Sequence, residues 1–232
     1  AHDEYLPAWS PDGRQIAYVT KRGGDPDRHS NWDIYLIEAR AGATERRLTT
    51  YEGGDLIPDL ESRPAWSPDG KRIAYLQGGE DKDLYYAPYQ LAIVDVATGA
   101  ATIPAPIDRS FAKPQWSKDG RSVYALIEQS RVTNLSRVSV ADGRVTPLTH
   151  GPRFDVDFDM AGERLVVLGG GDDRPAEIAA VERRGLRGLT SHNDWLAQKR
   201  LVRMEDISFR SADGTEIHGF LVKPVDYVAG RR

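Results

Sequence analysis

The sequence predicts an all-β fold, a β-propeller of four recognisable four-stranded blades that read as part of a larger wheel, and two features carry the prediction. The phrase PAWSPDG stands at 7–13 and again at 64–70, PQWSKDG stands at 114–120, and a worn copy at 156–162 has Phe158 in the tryptophan position. Asp-Gly occurs at 12–13, 69–70, 119–120, 142–143 and 213–214. Both residues tolerate the positive φ of a tight hairpin turn, so each pair marks a candidate join between antiparallel strands.

Each anchor is followed by a short apolar run, at 16–19, 73–76, 123–127 and 165–168. The runs alternate little, which predicts strands covered on both faces. A third strand is expected at 33–37, 90–94, 135–138 and 177–181, and a shorter fourth that often ends in Leu-Thr, at 48–49, 148–149 and 189–190. Four short strands per repeat describe a propeller blade, which cannot bury both faces alone and must stack on neighbours. The expected blades are 1–58, 59–107, 108–150 and 151–190, followed by a linker at 191–204 and a separate unit at 205–232. A β-sandwich would leave the recurring WSPDG unexplained, and no long amphipathic helix is expected.

The 232 residues are 40% hydrophobic, enough for a substantial core, and 35 acidic against 31 basic side chains give a net charge of −4. That balance offers no electrostatic case for nucleic acid or an anionic membrane as a partner. With no cysteine, disulfides and thiolate sites are excluded, and a reducing, cytoplasmic compartment is the expectation. No apolar stretch reaches the roughly 20 residues that span a bilayer. The opening Ala1-His2-Asp3-Glu4 is no signal peptide, although a fragment could have lost a leader.

The WSPDG phrase with its later Leu-Thr resembles the WD40-like repeat of the TolB and prolyl-oligopeptidase propellers. Residues 205–210 and 216–222 form two expected strands around Asp213-Gly214, end at Pro224 and lack a preceding anchor. The stretch 189–224 resembles the passage where a prolyl-oligopeptidase (S9) enzyme, of acylaminoacyl-peptidase type, enters its α/β-hydrolase domain. The resemblance implies a serine peptidase cleaving peptide or acyl-peptide bonds through a Ser-His-Asp triad, with 205–232 opening a truncated hydrolase domain. No serine here has the Gly-x-Ser-x-Gly setting of a nucleophile elbow, so no catalytic residue is expected within this chain. Its expected role is to gate and select short peptides. A TolB-like, non-catalytic interaction propeller is the rival, and a carbohydrate-active propeller is a weaker third.

Several motifs read as structural. His150-Gly151-Pro152 falls in a turn between blades, and His218-Gly219 falls in the last hairpin. Gly169–Gly171 lacks the Lys-Ser/Thr of a phosphate loop and reads as a turn between strands. Asp155, Asp157 and Asp159 alternate and would share one side of a strand. An EF-hand loop, however, needs Gly and Glu where Met160 and Val166 stand. No metal and no cofactor are expected. In a four-stranded meander the second-to-third loops and the blade-to-blade loops emerge on one rim, which collects the long connections 21–32, 50–62 and 78–88. Recognition usually sits on such loops. Arg28 and His29 are candidates for a peptide carboxylate, and Trp32, Tyr85 and Tyr86 for apolar contact with substrate. The expected partners are peptide and the chain's own hydrolase domain, and open blade edges could support a homo-oligomer.

Overall fold

In each WSPDG turn the serine and aspartate side chains replace backbone partners that the reversal would leave unmet. Ser10 Oγ donates to Asp12 (2.7 Å) and accepts from Gln15 N (2.9 Å), while Asp12 accepts from Arg14 N (3.1 Å). The same bonds recur at Ser67/Asp69 and Ser117/Asp119. Gly13, Gly70 and Gly120 take φ values of 69°, 69° and 67° at the point where the chain must turn left-handed. The structure, a computed structural model, describes residues 3–22, 25, 28–56, 62–83 and 86–230.

The turns join strands into successive antiparallel units. The first is β1 (Tyr5–Trp9), β2 (Gln15–Thr20), β3 (Asp33–Glu38) and β4 (Arg46–Arg47). The second contains β5 (Gly53–Asp55) and β6 (Ala65–Trp66), both paired with β7 (Arg72–Glu80), followed by β8 (Gln90–Asp95) and β9 (Ala101–Thr102). The third is β10 (Phe111–Trp116), β11 (Ser122–Gln129), β12 (Val132–Ser139) and β13 (Val145–Pro147). The fourth is β14 (Phe154–Ala161), β15 (Arg164–Gly171), β16 (Arg174–Glu182) and β17 (Gly185–Gly188), touching the third through one parallel bridge, Thr133 to Phe154. A separate hairpin follows, β18 (Glu205–Arg210) with β19 (Glu216–Leu221).

The tryptophans stitch the units together. Trp66 Nε1 donates to Ala8 O (3.1 Å) and Trp116 Nε1 donates to Ala65 O (2.8 Å), so each indole bonds the residue before the preceding anchor. The Phe158 ring has no N–H to donate, and Gln115 Nε2 instead donates to Phe158 O at 3.3 Å. The Leu-Thr pairs close the last strand of the first, third and fourth units by one geometry. Both amides of 48–49 donate to Ile34 O while Thr49 Oγ1 accepts from Ile34 N, and the arrangement repeats on Leu135 and Ile178. The core runs across the first three units, with Tyr75, Ile34, Ile73 and Phe111 at its centre. A second cluster of Leu126, Leu135, Phe158, Val167 and Ala179 joins the third unit to the fourth.

Three expectations change. The segment 53–55 pairs with β7, so it belongs to the second sheet although it precedes the expected boundary at 58; its Gly-Gly-Asp sequence carries no apolar signal of a strand. Gly169–Gly171 lies inside β15, not in a turn: Gly169 pairs with Asp155 and Glu177 on either side, and the glycine is required there because a Cβ would meet the Asp155 carboxylate at 2.3 Å. The three aspartates of β14 do not share a side. A register shift between Asp155 and Asp157 turns Asp155 into the interior and leaves Asp157 and Asp159 exposed. Among the described residues, no group of three or more His, Asp or Glu side chains is placed to hold a metal ion.

Candidate functional site

The first two units bring the long connections into contact. Ser30 N, after β2, donates to Asp81 Oδ1 at 2.7 Å, after β7. Asn31, with its amide turned to donate, reaches Tyr51 O and Gly53 O at 3.1 Å each. Asp55 N donates to Trp32 O at 2.8 Å. The segments 30–32, 51–55 and 81–83 thus form one bonded rim on the scaffold of the first two units.

The five candidate residues differ in what the rim leaves them. Arg28 is exposed and its Nε pairs with Asp25 at 3.2 Å. The His29 carbonyl accepts from Lys21 Nζ (3.0 Å), and its Nδ1 accepts from Asn31 N (3.2 Å). Trp32 is committed to packing: Tyr5 meets it edge-on at 5.4 Å and Lys21 Nζ lies 4.7 Å from its ring centre. Tyr86 is 87% exposed. Tyr85 lies outside the described residues.

Beneath this rim sits an acid that the motif reading missed. Asp55 is fully buried; Gln77 Nε2 donates to its Oδ1 at 3.2 Å, and Oδ2 has no hydrogen-bond partner among the described residues. Burial pushes its pKa up to about 7, against the lowering influence of the nearby Thr49 hydroxyl and the Gln77 amide. Asp33, nearby, pairs with Arg47 at 2.8 Å; burial raises its pKa as well, and Arg47 offsets the rise only in part. The sequence signal for Asp55 was its position six residues after Thr49, matched by Asp155 six after Thr149.

The last hairpin meets the other half of the same rim. Arg131, in the turn between β11 and β12, binds Asp206 Oδ1 at 2.5 Å and lies 4.9 Å from the Phe220 ring centre. Arg203 Nε binds Asp173 Oδ2 at 3.0 Å, in the turn between β15 and β16. Both turns are second-to-third loops, so hairpin and linker sit on the rim that carries the long connections, away from the Asp-Gly turns. A lone arginine in a turn gave no sequence pattern to read. The hairpin exposes Phe209 (58%) and Phe220 (53%), and Val222 beyond it is 61% exposed. No helix among the described residues is long and apolar enough to cross a membrane.

No protein-family model matches the chain. Dipeptidyl-peptidase 5 of Porphyromonas gingivalis is 26% identical over 229 residues, which cover 95% of this chain and 32% of the relative. Acylaminoacyl peptidase of Pyrococcus horikoshii superposes with a TM-score of 0.74 at 23% identity, over 100% of this chain and 33% of its own. TolB from Acinetobacter baumannii reaches a TM-score of 0.58 at 17% identity, over 95% of this chain and 52% of its own. The chain therefore spans about a third of the length of its peptidase relatives. Its fold is the β-propeller that these proteins share, and the resemblance to the prolyl-oligopeptidase peptidases read from the motifs is borne out.

Proposed function

We propose that this chain is the propeller portion of a prolyl-oligopeptidase-family serine peptidase that cleaves peptide or acyl-peptide bonds, with a catalytic triad outside these 232 residues. The observation that carries the reading is the hairpin β18–β19. It forms its own sheet and is held by Arg131 and Arg203 against the second-to-third loops of the third and fourth units. A unit that opened a catalytic domain there would set that domain over the long-loop rim, with its exposed aromatics available for further packing. The relatedness to dipeptidyl-peptidase 5 along 95% of the chain supports the same reading, hairpin included.

In this arrangement the rim screens what enters the space between propeller and catalytic domain, admitting short or unfolded peptides and excluding folded proteins by size. Arg28 and His29 meet the peptide carboxylate. Tyr86, with Tyr85, supplies apolar contact, while Trp32 fixes the loop that presents them. The test is hydrolysis by the intact protein across a length series of peptides, including dipeptidyl and acyl-aminoacyl reporter substrates. Short peptides are cut and a folded protein is not, and Arg28→Ala with Tyr86→Ala raises KM severalfold with kcat little changed. An intact protein that hydrolyses none of these substrates, yet captures partner proteins, is a non-catalytic interaction propeller and ends the proposal.

A further inference from the structure

The opposite rim, where the Asp-Gly turns emerge, holds a concavity of about 730 Å³ lined by four arginines, Arg72, Arg121, Arg137 and Arg144. One carboxylate, Asp119, shares the lining. This local excess of positive charge occurs in a chain whose net charge is −4, so general basicity does not explain it.

The register gathers these groups. Arg137 lies opposite Thr146, and its neighbour two residues on, Ser139, lies opposite Ser122, so all four share one face of the third unit. Further along β12 that face is apolar, where Leu135 packs against the fourth unit; toward the Asp-Gly turns it becomes cationic and hydroxyl-bearing. Arg72 arrives from the second unit, fixed by a bond from Nη2 to Gly120 O (3.1 Å) and stacked 4.7 Å from the Trp116 ring centre. Arg121 and Arg144 lie within electrostatic reach of Asp119 and Asp142 and help to hold those carboxyls below the usual range, yet neither they nor Arg137 closes a side-chain hydrogen bond or a contact ion pair among the described residues. The nearby carboxylates are occupied by their own turns. Asp119 accepts from Ser117 Oγ (2.7 Å) and Arg121 N (3.0 Å), and Asp142 accepts from Arg144 N (3.2 Å).

Guanidiniums lining one concavity, three of them with no side-chain hydrogen bond of their own, favour an anion with several oxygens, since each planar fork can hold two of them. A lone carboxylate would engage one fork. We infer that this concavity is a binding site for a small, multiply charged phosphate, a polyphosphate or phosphate ester, held by Arg72, Arg121, Arg137 and Arg144 with the hydroxyls of Ser122 and Thr146. The site is remote from the hairpin rim and stands independently of the peptidase reading. Its volume lies within the range of roughly 300–1,000 Å³ typical of small-molecule sites.

The experiment is calorimetric titration of the intact protein with inorganic pyrophosphate at low ionic strength, where screening is weak. One saturable site is expected, with orthophosphate binding more weakly. Arg137→Ala combined with Arg144→Ala weakens pyrophosphate at least tenfold, and Arg137→Lys falls between. The control pair Arg183→Ala with Arg184→Ala, exposed in the turn between β16 and β17, changes affinity less than twofold. All replaced side chains are exposed, so the unfolding midpoints stay together. Non-saturable uptake, equal losses in the site and control variants, or binding to phosphatidylserine vesicles without binding to pyrophosphate would overturn the inference.

Discussion

Asp55 and Asp155 occupy equivalent positions, each six residues after a Leu-Thr threonine, each on a strand that opens a unit, and each buried to within 1%. Their surroundings differ by two exchanges. Asp155 lies opposite Gly169, whose missing Cβ leaves space for Arg153 to bind Asp155 Oδ1 (2.6 Å), and Thr149 Oγ1 donates to Oδ2. Asp55 lies opposite Gln77, a neutral partner. The position matching Arg153 is Gly53, where a Cβ would stand 2.6 Å from the Gly79 carbonyl oxygen, so no arginine fits. One acid is compensated by a full charge, and the other carries an unpartnered oxygen beneath the long-loop rim. The lesson is that the repeat fixes where an acid goes, while the glycine's place on the neighbouring strand fixes whether it is paired.

Four substitutions can break or sharpen this contrast. Arg153→Ala strips Asp155 of its cation within a buried setting and should destabilise the protein by about 3–5 kcal/mol in denaturant unfolding. Asp55→Asn should act in the opposite direction. The Asp55 carboxyl has a folded pKa of about 7, above the unfolded value of 3.8, so the folded state holds the extra proton between these values. Stability is then lost as pH rises from 3.8 through 7, and the neutral variant escapes that loss. The variant gains about 2–4 kcal/mol at pH 8 and nothing near pH 3.5, read from unfolding curves at both. Gly169→Ala pushes a methyl into the Arg153–Asp155 pair and should cost about 1–3 kcal/mol. Trp116→Phe keeps the ring but loses the bond to Ala65 O, costing about 1 kcal/mol with the anchor still buried.

Legibility followed the range of the interactions. The WSPDG turns, the four-strand units and the hairpin at 205–222 were readable because Ser-Asp-Gly turns and apolar runs act within a few residues. The Leu-Thr pairs were visible as motifs, but their bonds to the third strand were not. The strand at 53–55 was hidden because glycines carry no periodicity, and its partner lies more than twenty residues on. Asp155 looked like one of three alternating carboxylates, since a bulge leaves no mark in composition. Arg131 and the four arginines of the Asp-Gly rim were individually unremarkable, and only the strand register brought them beside their neighbours. Of the five rim candidates, Trp32 proved to be held between Tyr5 and Lys21, contacts that sequence spacing does not reveal.

The most direct measurement is to treat the intact protein with a fluorophosphonate probe, map the modified residue by mass spectrometry, and follow peptide hydrolysis alongside. A serine peptidase whose propeller is this chain is labelled at one serine outside residues 1–232, and hydrolysis falls in step with labelling. Absence of any labelled serine, or hydrolysis that persists after complete labelling, would contradict the account.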